Sequence, residues 1–413
     1  MKSTPVKGTR DYLPREVAVR DYLQNTILRV YQDAGFERIT TPIIEDAVNL
    51  DKSDGGENLN LIFKILKRGQ KLSSALQGEK ISERELSDMG LRYDLTLPLS
   101  RYFANNRNEL PTPFKVIQMD RVYRAERPQK GRLREFMQCD IDIVGNPSPD
   151  AEVDLILTTT KALTQIGMKN FRVKINDRRI LKNIFSYAGF SEDSHEKLAI
   201  IFDKLDKIGI DGVKSELEAA AFPASSTDKF IELFDSGSID LDSAQNVCDA
   251  AYITDLRYIM ESVKTVSGGA FSIEFAPSLV RGQGYYTGTI FEVEADGYSG
   301  AIAGGGRYDN LVGKFAGEEV PAVGFSIGFE RIFGILMDEG YEIPGQKKRI
   351  AVFYDSDTFS AALSYAEKLR EDYMVSVFLR PKKLGKFLNK IEGQGFDGFA
   401  VYGQDDGVKL FQS

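Results

Sequence analysis

Hydrophobic residues recur at helical spacing near the start of the chain. The stripe over residues 15–34 predicts an amphipathic helix, and Gly35 directly after it is a typical stop. The next run, FERITTPIIED, has the character of a strand, but Pro42 interrupts it. Because proline cannot donate to a ladder of backbone hydrogen bonds, we expect a sheet edge, a strand end or an interface there. The apolar stripe of the helix consists of Val19, Leu23, Ile27, Val30, Tyr31 and Ala34.

The pattern changes to strict alternation in the run REFMQCDIDIVG, residues 134–145. Successive side chains of a strand point to opposite faces. One face is therefore predicted to be apolar, and the other to carry an amide and two carboxylates. The apolar parity is Met137, Cys139, Ile141 and Ile143, and the other parity is Phe136, Gln138, Asp140 and Asp142.

Six basic residues precede and open this run, around a turn sequence at residues 128–131. Together with the earlier run PFKVIQMD, they predict two antiparallel strands joined by an arginine-rich loop above a polar floor. Guanidinium groups above acceptors suit a ligand that carries both phosphate and ammonium. On this stretch alone, a solvated hairpin with a basic tip is the alternative. The basic residues are Arg121, Arg124, Arg127, Lys130, Arg132 and Arg134.

The remaining runs predict the order of the other elements. Residues 151–168 have helical spacing, NFRVKIND is a strand, and residues 178–266 are helical with few strand signals. Strands return at residues 271–276 and in VGFSIG, which runs into a helix with Arg331 at the junction. From Arg349 the chain alternates as β-α-β-α-β, which predicts a small, largely parallel sheet.

The segment RYDLTLP predicts the end of a strand followed by a helix that begins near Pro98. Asp94 and Thr96 share a parity, so they are expected to point to one side. Incidental polar residues on a strand are the alternative.

Composition narrows the classes of protein. The chain has 413 residues, 42% of them hydrophobic and 28% charged, with a net charge of -8. This acidic balance argues against a generic nucleic-acid binder, so any such contact is expected from local basic patches. The apolar runs are shorter than the roughly 18 residues that span a bilayer, so no membrane partner is expected. Cys139 and Cys248 give no CxxC spacing or disulfide framework, which favours a reducing, cytoplasmic location.

A single histidine excludes several kinds of active site. A His-ligated metal site, a Ser-His-Asp triad and a Cys-His pair all need more than His195 supplies. An enzyme with this sequence is expected to use arginines, carboxylates, tyrosines and magnesium. His195 lies in the polar run SEDSHEKL, which predicts a surface residue at an exposed helix start.

A second stretch with candidate ligand-binding residues spans residues 279–313. Its glycines permit close approach of backbone to a ligand, and it contains neither a Walker loop nor a Rossmann fingerprint. Arg331, further along the chain, has two possible roles: it binds an anion or forms a structural salt bridge. The donors and aromatic faces of the stretch are Arg281, Tyr285, Tyr286, Arg307 and Tyr308.

Several separated segments together resemble a class II aminoacyl-tRNA synthetase, specifically the histidyl-tRNA synthetase family. KGTRDYLP resembles the family's opening, and GFERITTPIIED resembles motif 1, whose proline lies at the dimer interface. YRAERPQKGRLREF resembles motif 2 and VGFSIGFER motif 3. RGQGYYTGTIFE and GGGRYDNLV resemble the two histidine-specific motifs. The resemblance runs from about residue 5 to residue 400.

The resemblance implies an α+β fold with a class II synthetase-like antiparallel sheet core and helices, a helical insertion and a small C-terminal α/β domain. The first part of the catalytic core, with motifs 1 and 2, is expected over residues 1–177, and the helical insertion over 178–266. The second part of the core, with the histidine motifs and motif 3, is expected over residues 267–337. A linker over 338–348 then leads to a shortened anticodon-binding-like domain over 349–413.

It also implies roles for residues that handle ATP. Arg124 would hold the α-phosphate and Arg331 the γ-phosphate, while Glu126 and Arg132 match ATP-site positions of the motif-2 loop. Arg281 would act on the α-phosphate and on the substrate carboxylate. Arg124, Arg281 and Arg331 are thus the expected catalytic set, with ATP as substrate and Mg²⁺ bridging its phosphates; no residue is assigned as a metal ligand.

The same resemblance implies a histidine pocket. Asp94 and Asp142 fall at acidic positions for the amino group and the imidazole, and Gln138 at a position that orients the carboxylate. The implied activity is histidine–tRNA ligation, with L-histidine, ATP and tRNA(His) as partners and a homodimer formed through motif 1. The expected histidine-binding residues are Asp94, Thr96, Gln138, Asp142, Arg281, Tyr285, Tyr286 and Tyr308.

Two departures from the family pattern keep a second function open. Gly284 stands where the family usually has an acidic residue, and the tail resembles only the first part of the anticodon-binding domain, so reduced anticodon contact is expected. A paralogue, the regulatory subunit of ATP phosphoribosyltransferase, senses histidine without aminoacylation and often has a short tail. That paralogue typically loses the phosphate-handling groups, whereas this chain has all of them: Arg124, Gln129, Arg132, Arg281 and Arg331.

Overall fold

The computed structural model of the chain describes residues 2–52, 61–78, 81–128, 131–235, 239–280 and 285–411. The chain divides into two compact units, one of Met1–Asp11 and Leu23–Gly340, the other of Tyr12–Tyr22 and Tyr341–Ser413. The helical run between residues 178 and 266 lies inside the first unit. The five-part division expected from the sequence stays a prediction.

The strands of the described residues, in chain order, are β1 (Glu37–Arg38), β2 (Ile44–Asp46), β3 (Lys64–Leu66), β4 (Ser87–Leu91), β5 (Phe114–Tyr123), β6 (Glu135–Val144), β7 (Phe171–Asp177), β8 (Ser272–Phe275), β9 (Thr289–Ala295), β10 (Ala303–Arg307), β11 (Ala322–Gly328), β12 (Arg349–Tyr354), β13 (Met374–Leu379), β14 (Gly398–Val401) and β15 (Lys409–Leu410).

The α-helices of the same residues are α1 (Pro14–Asp33), α2 (Ala47–Lys52), α3 (Gln70–Leu76), α4 (Glu83–Leu86), α5 (Thr96–Asn106), α6 (Asp150–Gln165), α7 (Arg178–Ala188), α8 (His195–Phe202), α9 (Leu205–Ala219), α10 (Ala224–Asp235), α11 (Leu241–Ala244), α12 (Ala250–Ser267), α13 (Asp309–Ala316), α14 (Phe329–Asp338), α15 (Phe359–Leu369) and α16 (Leu384–Glu392), with short 3-10 helices at Arg107–Glu109 and Glu192–Ser194. Among them, none combines the length and the apolar character that a membrane crossing requires.

An eight-stranded sheet is the centre of the first unit, in the order β1-β5-β6-β11-β10-β9-β7-β8. All pairs from β5 to β7 are antiparallel, and only the outer pairs β1–β5 and β7–β8 are parallel. The predicted antiparallel core is therefore confirmed.

The arginine-rich hairpin is built as its alternation predicts. β5 and β6 pair along their full length, with Gln118 opposite Asp140. On the apolar parity of β6, Cys139, Ile141 and Ile143 are buried. Helix α6 packs on β6 and β11 and contributes Leu155 and other apolar side chains to the core.

A small sheet, β2-β4-β3, lies beside the hairpin. β1 ends before Pro42 and β2 begins after it, so the proline interrupts the strand-like run as expected. Just after β4, the buried Arg92 donates from Nη1 to the Thr41 carbonyl oxygen (2.9 Å) and from Nε to the Arg121 carbonyl oxygen (2.9 Å). The motif-1 segment and the end of β5 are thereby joined through one guanidinium.

The prediction that His195 is a surface residue is wrong. Its side chain is only 6% exposed, and its ring lies 5.5 Å from that of Phe185. The reason is helical periodicity: His195 begins α8 on the same face as the buried Leu198, Ala199 and Phe202, whereas its polar sequence neighbours face solvent.

Arg307, expected among the donors of the glycine-rich stretch, serves the fold instead. Its Nε and Nη2 atoms donate to the two carboxylate oxygens of Glu152 in α6, each at 2.7 Å. It also donates to the carbonyl oxygens of Asn146 (3.1 Å) and Ser148 (3.3 Å). This buried, bidentate pair holds the end of β10 against the first turn of α6.

The second unit contains a four-stranded sheet in the order β13-β12-β14-β15. β12 pairs in parallel with β13 and β14, and β15 is antiparallel to β14. Phe353, Ile391 and Phe396 belong to its core. The predicted β-α-β-α-β order, with one added short strand, is confirmed.

Replacing Glu152 by alanine should destabilise the protein by about 3–5 kcal/mol, because it leaves the buried Arg307 guanidinium without its counter-charge. Urea unfolding of wild type and variant measures this change. A matched control is Glu216→Ala, which removes a partly exposed pair with Lys204 (2.6 Å) and should cost about 0–1 kcal/mol. Equal losses in the two variants would contradict a structural role for the buried pair.

Candidate functional site

A cleft of about 730 Å³ lies on the polar face of the eight-stranded sheet. The predicted site residues that the structure describes all line it, although their individual roles stay predictions. Arg281 and Gly284 lie outside the described residues, as does Gln129 of the motif-2 loop. The predicted residues in the lining are Asp94, Thr96, Arg124, Glu126, Arg132, Gln138, Asp142, Tyr285, Tyr286, Tyr308 and Arg331.

The floor of the cleft is the polar parity of β6 together with the facing residues of β11. Strand pairing places Gly328 opposite Gln138, Ser326 opposite Asp140 and Gly324 opposite Asp142. Gln138 Nε2 donates to Ser326 Oγ at 2.9 Å and lies 3.5 Å from each carboxylate oxygen of Asp140. The alternation predicted from the sequence therefore produces a continuous polar surface.

Asp142 is held at one end of this floor. Tyr308 Oη donates to Asp142 Oδ1 at 2.6 Å, and both side chains are buried. A Cβ at Gly324 would lie 1.9 Å from the same Oδ1 atom, so the carboxylate occupies space that only glycine leaves open. Burial raises the pKa of Asp142 to about 7, while the Tyr308 hydrogen bond works in the opposite direction and Asp94 adds to the rise.

Aromatic side chains enclose the same end. Tyr285 and Tyr286 are buried, with ring centroids 4.8 Å apart, and the Tyr285 ring lies 6.1 Å from that of Tyr308. A hydrogen bond joins Tyr285 to Thr96 and lowers its phenol pKa, but burial dominates and raises that pKa well above its ordinary value. The Tyr285 phenol therefore stays neutral and acts as a hydrogen-bonding group.

Asp94 and Thr96 reach the cleft by a different route from the predicted one. The strand before them ends at Leu91, and Thr96 already begins helix α5. Asp94 Oδ1 accepts a hydrogen bond from the Leu97 backbone N–H (3.2 Å) at the start of this helix. Their convergence thus comes from the strand-to-helix turn, and the shared strand parity was the wrong reason.

Cationic side chains gather at the opposite end, near the tip of the hairpin. Arg124 donates from Nε to the Tyr93 carbonyl oxygen (3.0 Å), and its Cζ lies 5.1 Å from the Phe136 ring centroid. Arg132 Nη1 lies 3.6 Å from a Glu126 carboxylate oxygen. Phe136 and Asp142 are six positions apart on β6, which corresponds to about 20 Å along the strand.

Arg331, in the first turn of α14, belongs to this cationic end. Its Nη1 atom donates to the Ala301 carbonyl oxygen. Its Cγ atom would be 3.8 Å from a Cβ at Gly131, which places it beside the motif-2 loop. The cleft therefore has guanidinium groups towards one end and carboxylates with tyrosines towards the other.

Sequence reasoning missed several residues of the lining. Asp140 had no assigned role, and Ser326 was not singled out because its contact with β6 depends on strand register. Glu330 accepts a hydrogen bond from the Met137 backbone N–H (3.2 Å), a contact between residues far apart in the chain. Lys207, from the helical run, also lines the cleft.

Burial of Asp142 predicts a pH-dependent stability. Its pKa is about 7 in the folded protein, against about 3.9 in an unfolded chain, so the folded state binds more protons between these values. Its contribution to stability is present at low pH and is lost as the pH rises through 7, by roughly 2 to 3 kcal/mol between pH 5 and pH 8. Asp142→Asn should gain stability relative to wild type over this interval. Urea unfolding at both pH values measures it, and a constant difference would contradict the assigned shift.

The chain is similar to known proteins over most of its length. The sequence model of the family described as histidyl-tRNA synthetase matches residues 8–332. The histidine–tRNA ligase of Leifsonia xyli subsp. xyli (strain CTCB07) is 40% identical over 97% of this chain and 96% of its own length. That of Cytophaga hutchinsonii is 36% identical over 97% of this chain and 92% of its own length.

Two solved structures have a similar fold. The histidyl-tRNA synthetase from Nostoc sp. PCC 7120 aligns with a TM-score of 0.78 at 28% identity, covering 97% of this chain and 91% of that one. An ATP phosphoribosyltransferase regulatory subunit/histidyl-tRNA synthetase from Bacillus halodurans C has a TM-score of 0.76 at 17% identity, with 97% of each chain covered, which shows the fold alone. With the family model and these relatives covering most of its length, the chain belongs to the histidyl-tRNA synthetase family.

Proposed function

We propose that the chain is a histidine–tRNA ligase that activates L-histidine with ATP and transfers the histidyl group to the 3′ end of tRNA(His). The observation that carries the proposal is the two-ended cleft. Arg124, Arg132 and Arg331 suit a triphosphate, while Asp142 and Tyr308 suit an imidazole. The curated relatives named as histidine–tRNA ligases support the same activity.

In the first step, an oxygen of the histidine carboxylate attacks the α-phosphorus and the bond to pyrophosphate breaks. Negative charge is redistributed over the α-phosphate oxygens and the leaving group, and preorganised guanidinium groups stabilise it. The carboxylate is already a nucleophile, so alignment of the two substrates replaces general-base catalysis. In the second step, a ribose hydroxyl at the tRNA 3′ end attacks the carbonyl carbon and AMP leaves.

The histidine end of the cleft explains selection of the amino acid. A neutral imidazole offers one donor and one acceptor. Asp142 is a buried acceptor held by Tyr308, and a pocket that must satisfy such groups rejects side chains without matching atoms. Histidine binding also favours the ionised form of Asp142, because the imidazole N–H supplies it with a second hydrogen bond.

Mg²⁺ is part of the proposal as a phosphate-bound ion. This ion usually keeps several waters and takes one or two carboxylates besides the phosphates. The cleft lining fits that donor chemistry through Glu126 and Glu292, and a cluster of three or more acidic or histidine ligands is absent from the described residues. When bound, the ion neutralises phosphate charge. Arg124, Arg132 and Arg331 position the same phosphates.

The regulatory subunit of ATP phosphoribosyltransferase is the weaker candidate. A protein that only senses histidine needs the carboxylate and tyrosine end of the cleft but has no use for three guanidinium groups opposite it. The described ATP-site residues here all face one cavity. We therefore keep ligation as the proposed activity. A cytoplasmic location remains the expectation drawn from the cysteine pattern.

A homodimer through the motif-1 segment is also proposed. The small sheet β2-β4-β3 and helix α2 expose several large apolar side chains within one region of the first unit. Strand pairing places Asp46 and Ile65 on either side of Met89, so the exposed Met89 and its neighbours form one surface. Exposed apolar side chains gathered on neighbouring elements favour a protein contact. The exposed residues are Ile43, Ile44, Val48, Leu66 and Met89.

The activity is tested by histidine-dependent exchange of pyrophosphate into ATP, followed by charging of tRNA(His). Arg281→Ala should lower the exchange rate by roughly 100- to 1,000-fold and change histidine affinity much less, because its charge is needed most as the α-phosphate reacts. Arg84→Ala, which removes an arginine whose side chain is 81% exposed, is the control and should be silent. A folded wild-type protein without any exchange would rule out the ligase.

The dimer is tested by placing a charge on the apolar surface. Val48→Asp should shift the protein towards monomer in sedimentation velocity, since a carboxylate buried in an interface without a partner is costly. Val48 is 56% exposed in the chain, and Val266→Asp makes the same change at a side chain that is 68% exposed elsewhere. A dimer that survives the first substitution, or dissociates with both, would contradict this surface.

A further inference from the structure

We propose that Asp140 and Ser326 are positioning residues that fix the carboxamide of Gln138, so that its oxygen faces the cleft and accepts from the ammonium group of the amino acid. The inference rests on the proposed function and adds two residues to its machinery. Asp140 was left without a role by the sequence, and it lies between the two residues expected to meet histidine.

The hydrogen-bond chain has a definite direction. Ser326 donates its hydroxyl proton to Asp140, which leaves the serine oxygen free to accept. Gln138 Nε2 then donates to Ser326 Oγ at 2.9 Å, and both carboxylate oxygens of Asp140 lie 3.5 Å from the same nitrogen. Every polar atom around Nε2 in this group is thus an acceptor.

The opposite orientation of the amide is unfavourable. When Asp140 is ionised, rotating the amide by half a turn would bring Gln138 Oε1 against its carboxylate, so that two acceptors would face each other in a buried site. Such an arrangement loses the hydrogen bonds and adds repulsion in a poorly solvated environment. Asp140 is only 4% exposed, so water does not screen this contact well.

The orientation leaves one atom for the ligand. Gln138 is 9% exposed, lines the cleft, and its Oε1 atom has no hydrogen-bond partner within the described part of the chain. A buried amide oxygen without a partner costs free energy unless a ligand supplies a donor. A carboxylate has no donor to offer, whereas an ammonium group has three. Gln138 therefore matches the ammonium group, while its expected contact with the substrate carboxylate would need the nitrogen that is already engaged.

Charge on the floor supports the same assignment. Burial raises the pKa of Asp140 well above its ordinary value, and the neighbouring Asp142 adds to the rise. An ammonium group bound at Oε1 would favour the ionised carboxylate, which only accepts hydrogen bonds and so holds the amide in the required orientation. Recognition of the cation and orientation of the amide are therefore linked.

The test is a double-mutant cycle on the full chain, read as the dissociation constant of L-histidine by calorimetry. Asp140→Asn keeps the size of the side chain but supplies a donor, which permits the reversed amide. It should weaken histidine binding by roughly 10- to 30-fold, leave the KM for ATP nearly unchanged, and leave the inhibition constant of imidazolepropionic acid, which lacks the ammonium group, unchanged. Asp154→Asn, at the half-buried pair of Asp154 in α6 with Lys115 in β5, is the matched control and should be silent.

Non-additivity decides between positioning and direct attraction. If Asp140 acts through Gln138, then Asp140→Asn should have little further effect in a Gln138→Ala background. Ser326→Ala, which leaves the carboxylate in place, should give a smaller loss that also disappears there. Losses that simply add, or an Asp140→Asn variant with wild-type affinity, would overturn the inference. Wild-type protein that binds no histidine would instead refute the proposed function, and with it this role.

Discussion

The pairing of β6 with β11 is the constraint on which the site depends. It places residues without obstructing side chains, Gly324 and Gly328, opposite Asp142 and Gln138, and it places Ser326 opposite Asp140. Three polar side chains can then lie along one strand while they are almost fully buried. A slip of one residue would turn them towards the apolar core, where Cys139, Ile141 and Ile143 are now buried. Strand register and the proposed recognition of the substrate therefore depend on the same strand pairing.

Contacts away from the cleft floor join these strands to the neighbouring elements. Arg307 and Glu152 hold the end of β10 to α6, which in turn packs across β6 and β11. On the other side, Arg92 joins the motif-1 segment to the end of β5. Ion pairs and backbone contacts on these two sides thus attach the strands of the acidic floor to their neighbours. The guanidinium groups of the cleft come from the hairpin tip and from the first turn of α14.

Local sequence patterns predicted the helices, strands and faces of this fold better than they predicted its long-range contacts. Alternation in β6 identified both faces of the strand, and the motifs identified the residues that converge on the cleft. The predictions that failed depended on partners distant in sequence. Arg307 was taken as a donor to a ligand because the sequence does not show that Glu152, 155 positions earlier, is its partner. His195 was misplaced because polar neighbours hid its position on the buried helix face, and Ser326 was overlooked because a sequence does not state which residue lies opposite which.

Gly324 illustrates a broader point about how binding sites are recognised. It has no charge, no nucleophile and no hydrogen-bonding side chain, yet the Asp142 carboxylate occupies the volume that any Cβ at this position would fill. Criteria that rank residues by chemical reactivity would omit it. The shape of this end of the cleft depends on the missing Cβ of Gly324 as much as on the Asp142 side chain, so tolerance to substitution here should follow steric volume, independently of polarity.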